Sequence, residues 1–112
     1  ELRNYLSQTL SEEYVVQVSS NGKEALTIIP EYKPELVISD IMMPEMRGDE
    51  LCQAIKNNIE TSHIPVILLT ALNNEKDILS GLQIGADEYV VKPFNIGILK
   101  ANVANLLAKR AL

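Results

Sequence analysis

The sequence predicts an α/β domain in which a parallel sheet carries helices on both faces. Three observations predict it. Short apolar runs of strand length alternate with stretches whose apolar residues recur every three or four positions. The two central runs, Leu36-Val37-Ile38-Ser39 and Pro65-Val66-Ile67-Leu68-Leu69, are apolar at consecutive positions, as strands covered on both faces are. The chain has 112 residues, 46% of them hydrophobic, which suits one domain, residues 1–112, with a real core.

The elements follow in order. Leu2, Leu6 and Leu10 are four apart and share one helix face. Val15, Val16 and Val18 form a β-branched run that predicts a strand. Asn21 reads as a helix cap, with Glu24 three residues on; Ala25, Leu26, Ile28 and Ile29 give the apolar side, and Pro30 and Pro34 bracket the end. The strand at 36–39 comes next. Leu51, Ala54, Ile55 and Ile59 predict a helix, and 65–69 a strand. A polar opening at Asn73-Asn74-Glu75 leads into helical spacing at Ile78, Leu79 and Leu82. Tyr89-Val90-Val91 is the last strand. Asn95 starts a long amphipathic helix through Ile96, Leu99, Val103, Leu106 and Leu107, whose closing Lys109 and Arg110 suit the helix dipole.

Composition excludes several functions. A net charge of −5 disfavours nucleic-acid binding, which needs clustered Lys and Arg. No stretch has the roughly 20 apolar residues of a membrane span, and no signal peptide is visible, so the expected location is cytoplasmic, or the cytoplasmic part of a membrane-bound sensor. A single cysteine, Cys52, forms no internal disulfide and fits a reducing compartment; with the lone His63 it makes no zinc site. Cys52 is expected to be packed and inert, His63 to be structural or solvated, and Met42, Met43 and Met46 to be packing residues of a loop.

In open parallel sheets ligands bind beyond the carboxyl ends of the strands. Asp40, Thr70 and Lys92 directly follow the three strands at 36–39, 66–69 and 89–91. A carboxylate, a hydroxyl and an ammonium converging on one rim suit phosphoryl chemistry. The carboxylate can be the nucleophile, the hydroxyl can donate to a phosphoryl oxygen, and the ammonium can offset charge.

The run from Leu36 to Gly48, with Asp40-Ile-Met-Met-Pro44 inside it, resembles the phosphoacceptor segment of response-regulator receiver domains. Thr70-Ala71, Gly85-Ala86-Asp87 and Lys92-Pro93-Phe94 resemble other signatures of that family, and Thr70 and Lys92 fall 30 and 52 positions after Asp40, at the family's intervals. The resemblance implies a flavodoxin-like doubly wound sheet of strand order 2-1-3-4-5. It implies that Asp40 accepts a phosphoryl group from a histidine-kinase phosphohistidine, and that the domain is a signalling switch, not a dedicated enzyme. Thr70 and Tyr89 would be the switch residues, and Lys92 would pair with the phosphoryl group. The Met42 backbone carbonyl would join Asp40 in binding Mg²⁺. Pro44, Gly48, Ala71 and Pro93 would support the site, Pro93 as the family's cis-proline position. Implied partners are a histidine kinase, possibly in the same parent chain as in hybrid sensor kinases, and a DNA-binding output domain that regulates transcription. The domain itself is expected to contact neither nucleic acid nor membrane.

One departure stands out. The family begins with a strand ending in two acids, whereas this sequence opens at Glu1-Leu2-Arg3, already in the first helix. The expectation is therefore a sheet lacking its first strand, weak Mg²⁺ binding without the acidic pair, and a homo-oligomer or strand exchange to cover the open edges. An alternative function is a phosphorylation-impaired interaction module of the same fold. Enzyme readings fit less well. An aspartate-nucleophile phosphatase has a second Asp where Met42 stands, and a flavin-binding protein needs a phosphate loop that is not seen here.

Overall fold

A computed structural model describes residues 2–42, 45–70, 85–92 and 94–111. In these, α1 (Leu2–Leu10), α2 (Gly22–Tyr32), β1 (Val37–Asp40), α3 (Gly48–Asn57), β2 (Val66–Thr70), β3 (Glu88–Val91) and α4 (Ile96–Ala111) follow in chain order. The expected helix at 73–82 lies outside the described residues.

The strands form one parallel sheet of order β1-β2-β3. Val37 pairs with Val66 and Asp40 with Leu69; Ile67 pairs with Glu88 and Thr70 with Val91. Every residue of β2 is buried. Its alternating side chains feed two cores. Val66 and Leu68 pack with Ile29 of α2 and Leu51, Cys52 and Ile55 of α3. Ile67 and Leu69 pack with Leu6 and Leu10 of α1 and Leu99 and Val103 of α4. Among the described residues two helices thus cover each face, which explains the unbroken apolar run Val66–Leu69. Val37 and Ile38 of β1 are only half-buried, so the expectation of equal cover for both central strands holds for β2 alone.

The caps follow the sequence. Asn21 Oδ1 accepts the Glu24 N–H at 2.9 Å, while the Glu24 carboxylate reaches one residue further back, to the Ser20 hydroxyl at 2.7 Å. The Ser20 hydroxyl first, and then the Ser20 backbone N–H, hold the Glu24 carboxyl below its ordinary value of 4.5. Pro30 lies inside the last turns of α2, and the chain leaves through Lys33 at φ 55°, whose N–H donates to Ile29 O at 2.8 Å. Asn95 Oδ1 caps α4 by accepting the Gly97 N–H at 2.7 Å.

Two sequence expectations need correction. Residues 15–19 form no strand, and Val15 is 90% exposed. Among the described residues β1 is bonded on one side only, to β2, so this β-branched run has no ladder to join. Ile59 is not part of the α3 apolar face. The helix ends at Asn57, before Ile59, which is 89% exposed.

Candidate functional site at the strand ends

The three sheet strands end side by side, and the register brings their last residues together. Asp40 and Thr70 are the final residues of β1 and β2, one position earlier relative to the strand ends than the sequence indicated; Lys92 directly follows β3. The ladder continues past the strands. The Ile41 N–H donates to Leu69 O at 2.9 Å and the Lys92 N–H to Thr70 O at 2.6 Å. Two parallel pairings thus fix the heights of Asp40, Thr70 and Lys92 relative to one another.

Lys92 Nζ donates to Asp40 Oδ2, closing an ion pair across 52 residues of sequence. The pair is partly shielded: the Lys92 side chain is 26% exposed and that of Asp40 30%. The other carboxylate oxygen, Oδ1, accepts the Met42 N–H at 3.1 Å. The carboxylate is therefore oriented from two sides yet open to solvent. Thr70 is fully buried beneath this rim. The Met42 side chain is 65% exposed, and its sulfur lies 3.7 Å from an Arg47 Nη1.

The loop after Asp40 is held by two glycines. The Gly48 N–H donates to Ile41 O at 2.9 Å, folding the loop back on its own start. A Cβ on Gly48 would overlap the Asp40 carbonyl oxygen and lie 2.8 Å from Ser39 Oγ, so only glycine fits. Gly22, at the start of α2, presses on the same loop from the other side; a Cβ there would lie 2.6 Å from Met46 O. Sequence reasoning singled out Gly48 and missed Gly22. The Asn-Gly pair was legible only as a helix start, because the loop it touches is 24 residues away.

Pro44, Ala71 and Pro93 lie outside the described residues, so the support expected from them is not placed. Tyr89 sits on β3 and packs against the core between α2, α3 and the sheet; its hydroxyl is buried and has no hydrogen-bond partner among the described residues. Among the described residues no group of three or more His, Cys, Asp or Glu side chains is arranged to hold a metal. The Asp40 carboxylate, an anionic oxygen donor that is 30% exposed, is of the ligand type that Mg²⁺ takes. His63 lines a cleft of about 560 Å³ with Ile29, Pro30, Pro34 and Ile64; Asp40, Thr70 and Lys92 are not among its lining residues. Cys52 is fully buried, and burial pushes its thiol up to about 11. No described helix is long and apolar enough to cross a membrane.

Comparison with known proteins accounts for this arrangement. The response regulator receiver domain family matches residues 1–104. A histidine kinase P4 of Formosa agariphila is 44% identical over 109 residues, which cover 97% of this chain and 8% of the kinase. A probable transcriptional regulator ycf27 of Cyanophora paradoxa is 44% identical over 96 residues, 86% of this chain and 39% of the regulator. The chain thus spans well under half the length of these relatives. The receiver domain of a signal transduction histidine kinase from Syntrophus aciditrophicus superposes with a TM-score of 0.88 at 37% identity, covering 95% of this chain and 81% of that one. The parallel sheet with helices on both faces, the strand-end triad and these matches agree: the chain belongs to the response regulator receiver domain family, the signalling domain of two-component systems.

Proposed function

We propose that the domain accepts a phosphoryl group on Asp40 from a histidine-kinase phosphohistidine. The contact of Lys92 Nζ with the Asp40 carboxylate, beside Thr70 at the ends of three paired strands, carries this reading. An Asp40 oxygen attacks phosphorus in line. The new O–P bond forms as the P–N bond to the donor imidazole breaks, and the imidazole leaves to take up a proton from solvent. Lys92 faces the charge that accumulates on the phosphoryl oxygens. The Asp40 carboxylate and the Met42 carbonyl would hold a Mg²⁺, which would supply further charge neutralisation. The Met42 N–H on Oδ1 and Lys92 Nζ on Oδ2 set the orientation of the Asp40 carboxylate.

Thr70 and Tyr89 form the switch. The Tyr89 hydroxyl is buried, and turning the ring outward brings it to solvent. Phosphorylation that draws the Thr70 hydroxyl to the phosphoryl group then biases the ring and the surface around it. The domain lies in the cytoplasm, in a cytoplasmic protein or as the cytoplasmic part of a membrane-bound sensor, and its parent chain carries either a kinase domain, as in the Formosa agariphila relative, or a transcriptional output, as in the ycf27 relatives.

The test is incubation with acetyl phosphate and Mg²⁺, read by intact mass. A gain of one phosphoryl group that is labile to hydroxylamine and lost in Asp40→Asn supports the proposal. An unmodified wild-type chain, or an Asp40→Asn chain modified equally, replaces it with the interaction-module reading.

A further inference from the structure

A second ion pair lies at the other end of the sheet. Lys56, in the last turn of α3, directs Nζ at three acceptors: Asp87 Oδ2 at 2.9 Å, Ile64 O at 2.7 Å and Ser62 O at 3.4 Å. Asp87 Oδ2 also accepts the Val66 N–H at 2.8 Å, and the Asp87 N–H donates to Val66 O at 2.9 Å. The Lys56 side chain is only 18% exposed, and its stem covers Gly85, which takes φ +97° just before Asp87. One ammonium and one carboxylate thus tie together the end of α3, the turn before β2, the first residue of β2 and the approach to β3.

These are the segments that carry the phosphoryl site. Asp87 and Val66 form the rung before the Ile67–Glu88 pair. Four residues further, β2 presents Thr70, and five residues beyond Asp87 comes Lys92. At about 3.3 Å per residue these groups stand roughly 13–17 Å from the clamp, along strands that hardly stretch. The third arm is α3, which starts at Gly48 against the Asp40 carbonyl and reaches Lys56 two turns later. A shift at the clamp therefore becomes a shift of Lys92, Thr70 and the Asp40 loop relative to each other.

We infer that Lys56 and Asp87 are a positioning pair for the phosphoryl site, setting the axial register of β3 and α3 against β2. The inference rests on the reading of Asp40 as phosphoacceptor. A surface ion pair alone contributes little to stability. This one differs in that its charges also hold backbone groups, Ile64 O in the turn before β2 and the Val66 N–H at the start of β2, through short charge-assisted hydrogen bonds.

The experiment compares Lys56→Met, Asp87→Asn and Lys56→Arg with Val103→Ala, which opens a cavity against α4 on the opposite face. Each is assayed well below its melting temperature for the rate of phosphorylation by acetyl phosphate, and for the amide resonances of Thr70 and Lys92. Lys56→Met is expected to lose roughly ten- to a hundredfold in rate, as misplacement by about an ångström does. Lys56→Arg recovers most of the loss, and Val103→Ala loses little for a similar fall in melting temperature. Both resonances move in Lys56→Met and stay in place in Val103→Ala. Asp87→Asn reports in the same way if Lys56→Met does not fold. A Lys56→Met or Asp87→Asn chain phosphorylated within twofold of wild type, or a rate that tracks stability across all four variants, overturns the inference. If the wild-type chain is not phosphorylated, the Asp40 reading fails by itself, and the resonances still decide whether the clamp positions Thr70 and Lys92.

Discussion

Replacing Gly48 with alanine should cost both stability and phosphorylation, because this glycine stands where the carboxyl end of β1 meets the start of α3. Its N–H is bonded to Ile41 O at 2.9 Å, so the backbone cannot draw away without losing that bond. The added Cβ would overlap the Asp40 carbonyl oxygen, a backbone atom with no rotamer to escape into, and would sit 2.8 Å from Ser39 Oγ, which is itself bonded to Asp40 O. Two terms oppose each other. Alanine gains up to about 1 kcal/mol of helix propensity, less in a first turn. Overpacking costs about 1–3 kcal/mol, and backbone against backbone belongs at the upper end. The net expectation is a loss of about 1–2 kcal/mol, or roughly 5–15 °C in melting temperature for a domain of this size. Relief of the overlap moves Asp40 off Gly48, so its phosphorylation by acetyl phosphate should slow about tenfold or more. Thermal unfolding followed by circular dichroism gives the first quantity and intact-mass kinetics the second. A Gly48→Ala chain melting at or above wild type would refute the packing argument. A less stable chain phosphorylated at the wild-type rate would show that loop and carboxylate are uncoupled.

Three further outcomes are expected. Leu68→Ala, at a fully buried position in the central strand, should lower stability by about 2–5 kcal/mol in urea unfolding; a loss below about 1 kcal/mol would mean the core refills the space. Cys52, with its thiol pushed up to about 11, should resist iodoacetamide at neutral pH in the folded chain and react fully in urea, while rapid labelling of the native chain would contradict its burial. The lowered Glu24 carboxyl contributes stability above its ordinary value of 4.5, and that contribution fades as pH falls through the folded value. Ser20→Ala should therefore lower the melting temperature at pH 7 and have progressively less effect below 4.5; an effect that grows in acid has the wrong sign for this bond.

The parts of the fold legible in the sequence are those set by local patterns. β2 announced itself because its consecutive buried positions Val66–Leu69 form an unbroken apolar run, and α2 and α4 because Asn21 and Asn95 are side chains that satisfy orphan N–H groups. The triad was legible for a related reason. In a parallel sheet all strands end on one side, so reading the residue at each strand end is equivalent to reading one rim of the molecule. The run at Val15–Val18 misled because β propensity describes how a residue fits a ladder, and whether a ladder lies beside it is a property of the neighbours.

What stayed hidden is what depends on contact across the chain without a rule of spacing. Nothing about Gly22 points to Met46, and nothing about Lys56 points to Asp87, 31 residues on. Yet these contacts decide how firmly the legible residues are held. Lys92 and Asp40 touch only because two strand registers agree, and Asp87 and Val66 hold one of those registers at its far end. A strand end can be found from periodicity, but its height to within a fraction of an ångström comes from such distant fastenings. Phosphoryl transfer responds to that fraction. Chains of this family that keep the Asp, Thr and Lys should therefore still differ in phosphorylation rate according to what holds the opposite end of the sheet.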